Sequence, residues 1–127
     1  MSEGASNKVD VTVLGATGYT GGLVCEFLAT QAGAEGRSWA VAGRRKDALD
    51  ELVKAHGAVS AVTADCTSEA DCRKLAGSSR VVLNLAGPYY ERAEPLVKAC
   101  VEAGTHYLDL SGELIFVRDL IDAYHAT

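Results

Sequence analysis

Apolar and polar positions along this chain follow two rhythms that take turns. Short apolar runs stop at glycine or at a polar cluster, and stretches with apolar residues at every third or fourth position follow them. The runs predict strands over Val9–Leu14, Ser38–Ala42, Val59–Ala64, Arg80–Leu85 and His106–Leu110. The stretches predict helices. The first spans Tyr19–Gln31, with Leu23, Val24, Phe27 and Leu28 on one face, and Gly33–Arg37 reads as a loop after it. The second starts at Asp47, as cap or first turn, and carries Leu49, Leu52, Val53 and His56 up to a stop at Gly57. A short helix capped by Thr67 or Ser68 closes at Gly77. Pro95 fits the first turn of another, which presents Leu96, Val97, Cys100 and Val101 and ends at Gly104. The last covers Leu114–His125, with Phe116, Leu120, Ile121 and Tyr124 spaced for one face.

Strict strand–helix alternation predicts an α/β fold: a Rossmann-type, doubly wound parallel sheet with helices on both faces. The expected strand order is 3-2-1-4-5. Residues 80–85 are nearly all apolar, as a central parallel strand should be. In such a sheet, ligand lies across the carboxyl ends of the strands, at the switch between strands one and four. The residues just after each strand are therefore the chemical candidates.

After strand one the chain reads Gly15-Ala16-Thr17-Gly18-Tyr19-Thr20-Gly21 and enters a helix at once. Gly15 permits a turn that a side chain would obstruct, Gly18 lets backbone approach a pyrophosphate, and Gly21 lets the helix lie close on the strand. The helix N-terminus turns its free N–H groups and positive dipole end toward the anion. The spacing is G-x-x-G-x-x-G rather than G-x-G-x-x-G, and the strand and helix on either side give it meaning. The hydroxyls of Thr17 and Thr20 suit either phosphate contact or helix capping.

After strand two, the acid that accepts from an adenosine 2′-hydroxyl is missing. Arg44-Arg45-Lys46 stands in its place, at a helix N-terminus that is already positive. Cations there suit a 2′-phosphate, and a guanidinium at Arg44 is best placed to pair two of its oxygens, so NADP is the expected cofactor. A solvated basic start to the helix is the plainer alternative. Asp65 and Cys66 follow strand three, where an adenine ring commonly sits; capping suits Asp65 nearly as well. After strand four, the small Ala86 and Gly87 leave room for a ribose, and Pro88 stiffens the turn. Tyr89 or Tyr90 either walls a nicotinamide pocket or packs beneath the loop. After strand five, Asp109, Ser111 and Glu113 gather beside Gly112, as a site or as a turn with a Ser111 cap. His106, His56 and His125 read as structural.

With 127 residues, the chain is long enough for one domain with a sizeable core. Its net charge of −5 and lack of a basic block argue against nucleic acid and against an anionic membrane surface. Residues 1–8 read as a flexible tail without a secretory signal, and residues 9–127 as the domain. No apolar run approaches a membrane span. The four cysteines form no C-x-x-C pair and have no histidine at zinc spacing, so reduced thiols, no metal and a cytoplasmic location are expected.

Taken together, VTVLGATGYTGGLV, AVAGRRKDALDEL and VVLNLAGPYYERAEPLVKACVEAGTHYLDLSGE resemble the saccharopine dehydrogenase-like oxidoreductases, a group that includes trans-acting enoyl reductases. The resemblance implies an NADP-binding Rossmann domain with Gly15, Gly18 and Gly21 as the phosphate loop and Arg44 as a cofactor contact. It does not imply saccharopine as substrate, because the authentic saccharopine reductases carry G-x-G-x-x-G. Members of the group continue into a substrate domain, so the chain is expected to be the N-terminal part of a longer enzyme. The implied reaction moves hydride between NADP(H) and a small-molecule imine, carbonyl or enoyl substrate. Tyr89, Asp109, Ser111 and Glu113 are the catalytic candidates. A short-chain-dehydrogenase-like enzyme is the second enzyme reading: its chemistry needs Tyr-x-x-x-Lys, and Asp50, Ala70 and Glu94 stand four before Lys54, Lys74 and Lys98, so on that reading the pair belongs to chain that a truncation has removed. A non-catalytic NADP sensor or scaffold is the alternative outside enzymology. The edge of the fifth strand leaves pairing with further chain, or with a second copy as a homo-oligomer, open.

Overall fold

The computed structural model describes residues 8–58 and 60–125. Val59 and residues 1–7 of the expected tail lie outside the described residues. Five parallel strands form one sheet in the order β3-β2-β1-β4-β5. They are β1 (Val9–Leu14), β2 (Trp39–Gly43), β3 (Ser60–Thr63), β4 (Ser79–Asn84) and β5 (His106–Asp109). The helices are α1 (Tyr19–Ala34), α2 (Lys46–His56), α3 (Glu69–Gly77), α4 (Tyr89–Arg92), α5 (Glu94–Ala103) and α6 (Leu114–Tyr124). The expected fold and strand order are both realised.

Side chains alternate across the sheet and feed two cores. On one face, Leu14, Ala42 and Val82 meet α3 and α5 through Cys72, Leu75, Leu96 and Cys100. On the other, Val13, Trp39 and Val41 meet α1 and α2 through Cys25 and Leu49. Register keeps the strand ends level: Leu14 lies opposite both Ala42 and Asn84, and Asn84 opposite Asp109. The residues after the strands therefore emerge along one rim.

Caps explain where the helices begin and end. Ser68 Oγ accepts from the Asp71 amide, so Ser68 and not Thr67 caps α3. Gly57 and Gly104 close α2 and α5, and Pro95 sits in the first turn of α5.

Three expectations need correction. Leu23 and Phe27 do not share the buried face of α1. They are 50% and 61% exposed, while Cys25 is fully buried and Val24 and Leu28 pack against the core. The α1 sequence is apolar or small around most of its circumference, so spacing alone does not single out one face. Ile121 turns outward on α6, and Phe116 carries that helix's burial. Helix α1 also continues through residues 33 and 34, which were expected to be loop. All four cysteines are free.

The closest backbone approach lies where β1 meets α1. A Cβ added at Gly21 would sit 2.2 Å from the Gly15 carbonyl oxygen and 2.7 Å from Ala16 Cα. One placed at the neighbouring Gly22 would meet nothing within 4 Å. Gly21→Ala is therefore expected to lose about 3 kcal/mol or more, because backbone must move. Gly22→Ala is expected to gain about 0.5–1 kcal/mol by relieving helix entropy. Urea unfolding of the two variants checks the contrast, and equal stabilities would contradict the contact.

Candidate functional site

At the carboxyl end of β1 the chain turns through Gly15, whose φ of +82° is left-handed. A Cβ there would lie 2.9 Å from the Ala86 amide nitrogen, so the turn is pressed against the loop after β4. The Gly18 amide donates to the Gly15 carbonyl at 3.1 Å, and the first helical bond runs from the Gly22 amide to the Gly18 carbonyl. The amides of residues 19–21 precede that ladder and lie at the positive end of α1. No acidic residue occupies the first turn of α1. Neither threonine hydroxyl, Thr17 or Thr20, makes a hydrogen bond among the described residues, so neither caps the helix.

A cleft of about 160 Å³ opens beside this turn. Gly15 and Thr17 form one wall, Arg44 and Asp65 another, and Ala86, Gly87 and Arg92 a third; Cys66 also lines it. Seven of the residues that the sequence singles out for cofactor binding thus meet in one place. Ala16 and Gly21 are buried behind the turn, and Gly18, Tyr19, Thr20 and Arg45 lie exposed outside the cleft. Pro88 lines a different hollow.

Electrostatics separate the groups within the cleft. Asp65 Oδ1 accepts from the Thr67 amide at 2.9 Å and the Thr67 hydroxyl at 2.8 Å. These bonds hold its carboxyl below the usual range, and Arg44 and Arg92 act in the same direction. Asp65 therefore shapes an Asx-type turn ahead of α3, and its helix-capping alternative falls to Ser68. Burial pushes the Cys66 thiol up, and Asp65 adds to that. Cys66 is a neutral wall at neutral pH and not a nucleophile. Neither Arg44 nor Arg92 makes a salt bridge or side-chain hydrogen bond among the described residues.

The residues after β5 form a separate cluster. Asn84, fully buried, donates from Nδ2 to Tyr107 Oη at 3.1 Å and accepts at Oδ1 from the Ala86 amide at 2.9 Å. Tyr107 in turn donates to Asp109 Oδ2 at 2.7 Å. Burial, then the bond to Asp109, raises the Tyr107 phenol far above its ordinary range, so it stays protonated. Asp109 Oδ1 accepts from the Ser111 amide, Ser111 Oγ from the Glu113 amide, and Glu113 Oε1 from the Tyr90 amide. Tyr89 is half-buried and donates to the Asn84 carbonyl at 3.1 Å, the arrangement of an aromatic packed under the loop. Tyr89, Asp109, Ser111 and Glu113 thus lie together, outside the Arg44 cleft, and tie the β4 and β5 loops to each other.

Sequence reasoning missed Arg92 and Tyr107. Arg92 ends a four-residue helix that carries no apolar periodicity. Tyr107 reads as an ordinary strand aromatic, and its position level with Val82, next to Asn84, becomes visible only with the register.

Two other hollows differ in character. A groove of about 290 Å³ between α3 and α5 carries charges of both signs, Arg73 and Lys98 among Glu69, Glu94 and Glu102, and no glycine turn. An open apolar hollow of about 720 Å³ runs along Pro88, Tyr90, Leu114, Ile115 and Phe116, with Glu113 beside it. Among the described residues no cluster of His, Cys, Asp and Glu could hold a metal ion, and no helix is long and apolar enough to cross a membrane.

The buried Asn84–Tyr107 bond gives a test of the loop anchor. Tyr107→Phe leaves Asn84 Nδ2 without its acceptor, and the expected cost is about 1–3 kcal/mol in urea unfolding. A loss near zero would contradict the anchoring role.

Residues 11–126 match the family model described as the saccharopine dehydrogenase NADP binding domain. A trans-acting enoyl reductase of Mycobacterium tuberculosis is 39% identical over 125 residues, covering 95% of this chain and 29% of that protein. A lipid droplet localized protein of Caenorhabditis elegans is 35% identical over 126 residues, covering 93% of this chain and 30% of that protein. Among solved structures, apo saccharopine dehydrogenase (L-Glu forming) from Saccharomyces cerevisiae aligns with a TM-score of 0.75 at 24% identity, over 88% of this chain and 24% of that one. Citrobacter sp. triphenylmethane reductase complexed with NADP(H) aligns with a TM-score of 0.68 at 24% identity, over 80% of this chain and 37% of that one. The two structural likenesses show a shared fold. The chain spans less than a third of the length of the curated relatives it matches.

Proposed function

The chain belongs to the saccharopine dehydrogenase NADP-binding domain family, and from that premise we propose that it holds NADP(H) along the carboxyl rim of its sheet as the cofactor domain of a reductase. The observation that carries this reading is Arg44. It lines the cleft next to the N-terminus of α2, and among the described residues its guanidinium has no salt-bridge partner. A cation there is electrostatically costly unless an anion joins it. The adenosine 2′-phosphate is the anion that a dinucleotide would bring, with two oxygens for one guanidinium.

The glycine turn fits the same ligand. A Cβ at Gly18 would meet only the Gly15 carbonyl, at 3.5 Å, an ordinary contact. The protein's own packing gives no steric reason for glycine at that position. A pyrophosphate lying against this turn and the amides of residues 19–21 supplies one. Asp65 has a carboxylate oxygen left to accept from the adenine amino group, and the small Ala86 and Gly87 leave room for sugar.

When bound, the reduced cofactor supplies hydride. This chain's residues orient it: Gly15–Gly21 hold the pyrophosphate, and Arg44 and Asp65 hold the adenosine end. The Tyr89, Asp109, Ser111 and Glu113 cluster stands on the other side of Gly87, where the nicotinamide end of a cofactor laid along the rim would lie. We assign these four residues to that end as candidates for positioning the reacting groups. The acceptor is a small molecule with an imine, carbonyl or enoyl bond. A relative named as an enoyl reductase favours the conjugated alkene.

Two substitutions separate the parts of the proposal. Arg44→Ala is expected to weaken NADPH binding about 10- to 100-fold, the worth of a charge-assisted contact, and to leave NADH binding within about twofold. Gly18→Ala is expected to weaken both cofactors alike, because both carry the pyrophosphate, while changing folding stability by less than about 1 kcal/mol. Calorimetric titration with each dinucleotide checks both. An Arg44→Ala protein that loses NADPH and NADH equally would contradict the 2′-phosphate assignment.

A further inference from the structure

Arg92, the last residue of α4, lines the same cleft as Arg44 and Asp65. We infer that Arg92 is a second cation for the adenosine 2′-phosphate, so that preference for NADP over NAD is divided between guanidiniums on two separate elements. The inference rests on the cofactor reading above and extends it to a residue outside the glycine turn and the β2 rim.

The arginines sort by place. The chain has seven. Arg37, Arg73, Arg80 and Arg118 each pair with a carboxylate. Among the described residues the three without such a pair are Arg44, Arg45 and Arg92, and all three lie beyond the carboxyl ends of the strands. Glu91 and Glu94 flank Arg92 in sequence, and neither forms a salt bridge with it; Glu94 instead accepts from the Tyr124 hydroxyl. The backbone beneath Arg92 is fixed. Ala93 is fully buried, its amide donates to the Tyr89 carbonyl at 2.9 Å, and its carbonyl accepts from the Val97 amide at 3.0 Å.

Charge counting supports two cations. Asp65 stays ionised in the cleft, so Arg44 and Asp65 alone would cancel. A phosphate monoester carries about −1.5 to −2 charges near neutral pH, and a neutral pair offers it little net attraction. Arg92 makes the lining net positive, and its charge already reaches Asp65 alongside that of Arg44.

The test titrates NADPH and NADH into the wild-type chain and into Arg44→Ala, Arg92→Gln and Arg92→Lys, with urea unfolding to confirm that each is folded. Arg92→Gln removes the charge of this exposed side chain and leaves a polar group in its place. It is expected to weaken NADPH about 5- to 20-fold and to leave NADH within about twofold, in the range of one charged hydrogen bond. Arg92→Lys is expected to recover part of the loss. Equal weakening of both cofactors by Arg92→Gln would place Arg92 on the shared adenosine and overturn the inference. No change in either would overturn it as well. If Arg44→Ala shows its NADPH-selective loss and Arg92→Gln does not, only the second cation fails. If the wild-type chain binds neither dinucleotide, the cofactor reading fails and takes this inference with it.

Discussion

Everything at the ligand end depends on backbone meeting backbone without side chains between. The turn at Gly15 is pressed against Leu85 and Ala86 on one side, and Gly21 of α1 is pressed against Gly15 and Ala16 on the other. These contacts fix the distance between β1, the start of α1 and the loop after β4. No side-chain repacking can restore them once a Cβ intrudes, because the atoms met are main chain. The level register then carries the ends of β2 and β3 to the same rim. A shallow set of turns becomes one cleft because the two central strands are locked at their ends.

The charge pattern follows the sheet's polarity. At the opposite end, Asp10 exchanges hydrogen bonds with Ser38 and pairs with Arg80, so the charges there are matched. At the carboxyl end, Arg44, Arg45 and Arg92 form no salt bridge among the described residues, and helix N-termini add positive potential. That asymmetry is what a dianionic ligand requires and what a purely structural rim would avoid. Beyond Gly87 the chemistry changes. The Asn84–Tyr107–Asp109 chain is closed upon itself, with Tyr107 held protonated by burial and by Asp109. Its polar atoms anchor loops, and the apolar hollow along Tyr90, Leu114 and Ile115 lies next to it. The rim thus divides into a half rich in charge, around Arg44 and Asp65, and a second half with a rigid polar base and an apolar wall.

Much of this was legible in the sequence, for identifiable reasons. Strand order followed from alternation and from the apolar run at residues 80–85. The glycine turn followed from Gly15 and Gly21, whose constraints are local. Arg44 was legible because an acid was expected in its place. The place of Arg92 was not, because nothing in its neighbouring sequence marks it until the fold brings the end of α4 to the same cleft as Arg44. Tyr107 was hidden because only register sets it next to Asn84. Leu23 and Phe27 misled because α1 is apolar around most of its surface, and helical spacing marks a face only when the other faces are polar.

On the proposed function the dinucleotide lies along this rim. Backbone amide chemical shifts of isotope-labelled protein, followed during NADPH titration, report where it binds. Saturable shifts concentrated at Gly15–Gly21, Arg44, Asp65–Cys66 and Ala86–Gly87 are the predicted result. Shifts confined to the charged groove between α3 and α5, or none at saturating cofactor, would contradict it.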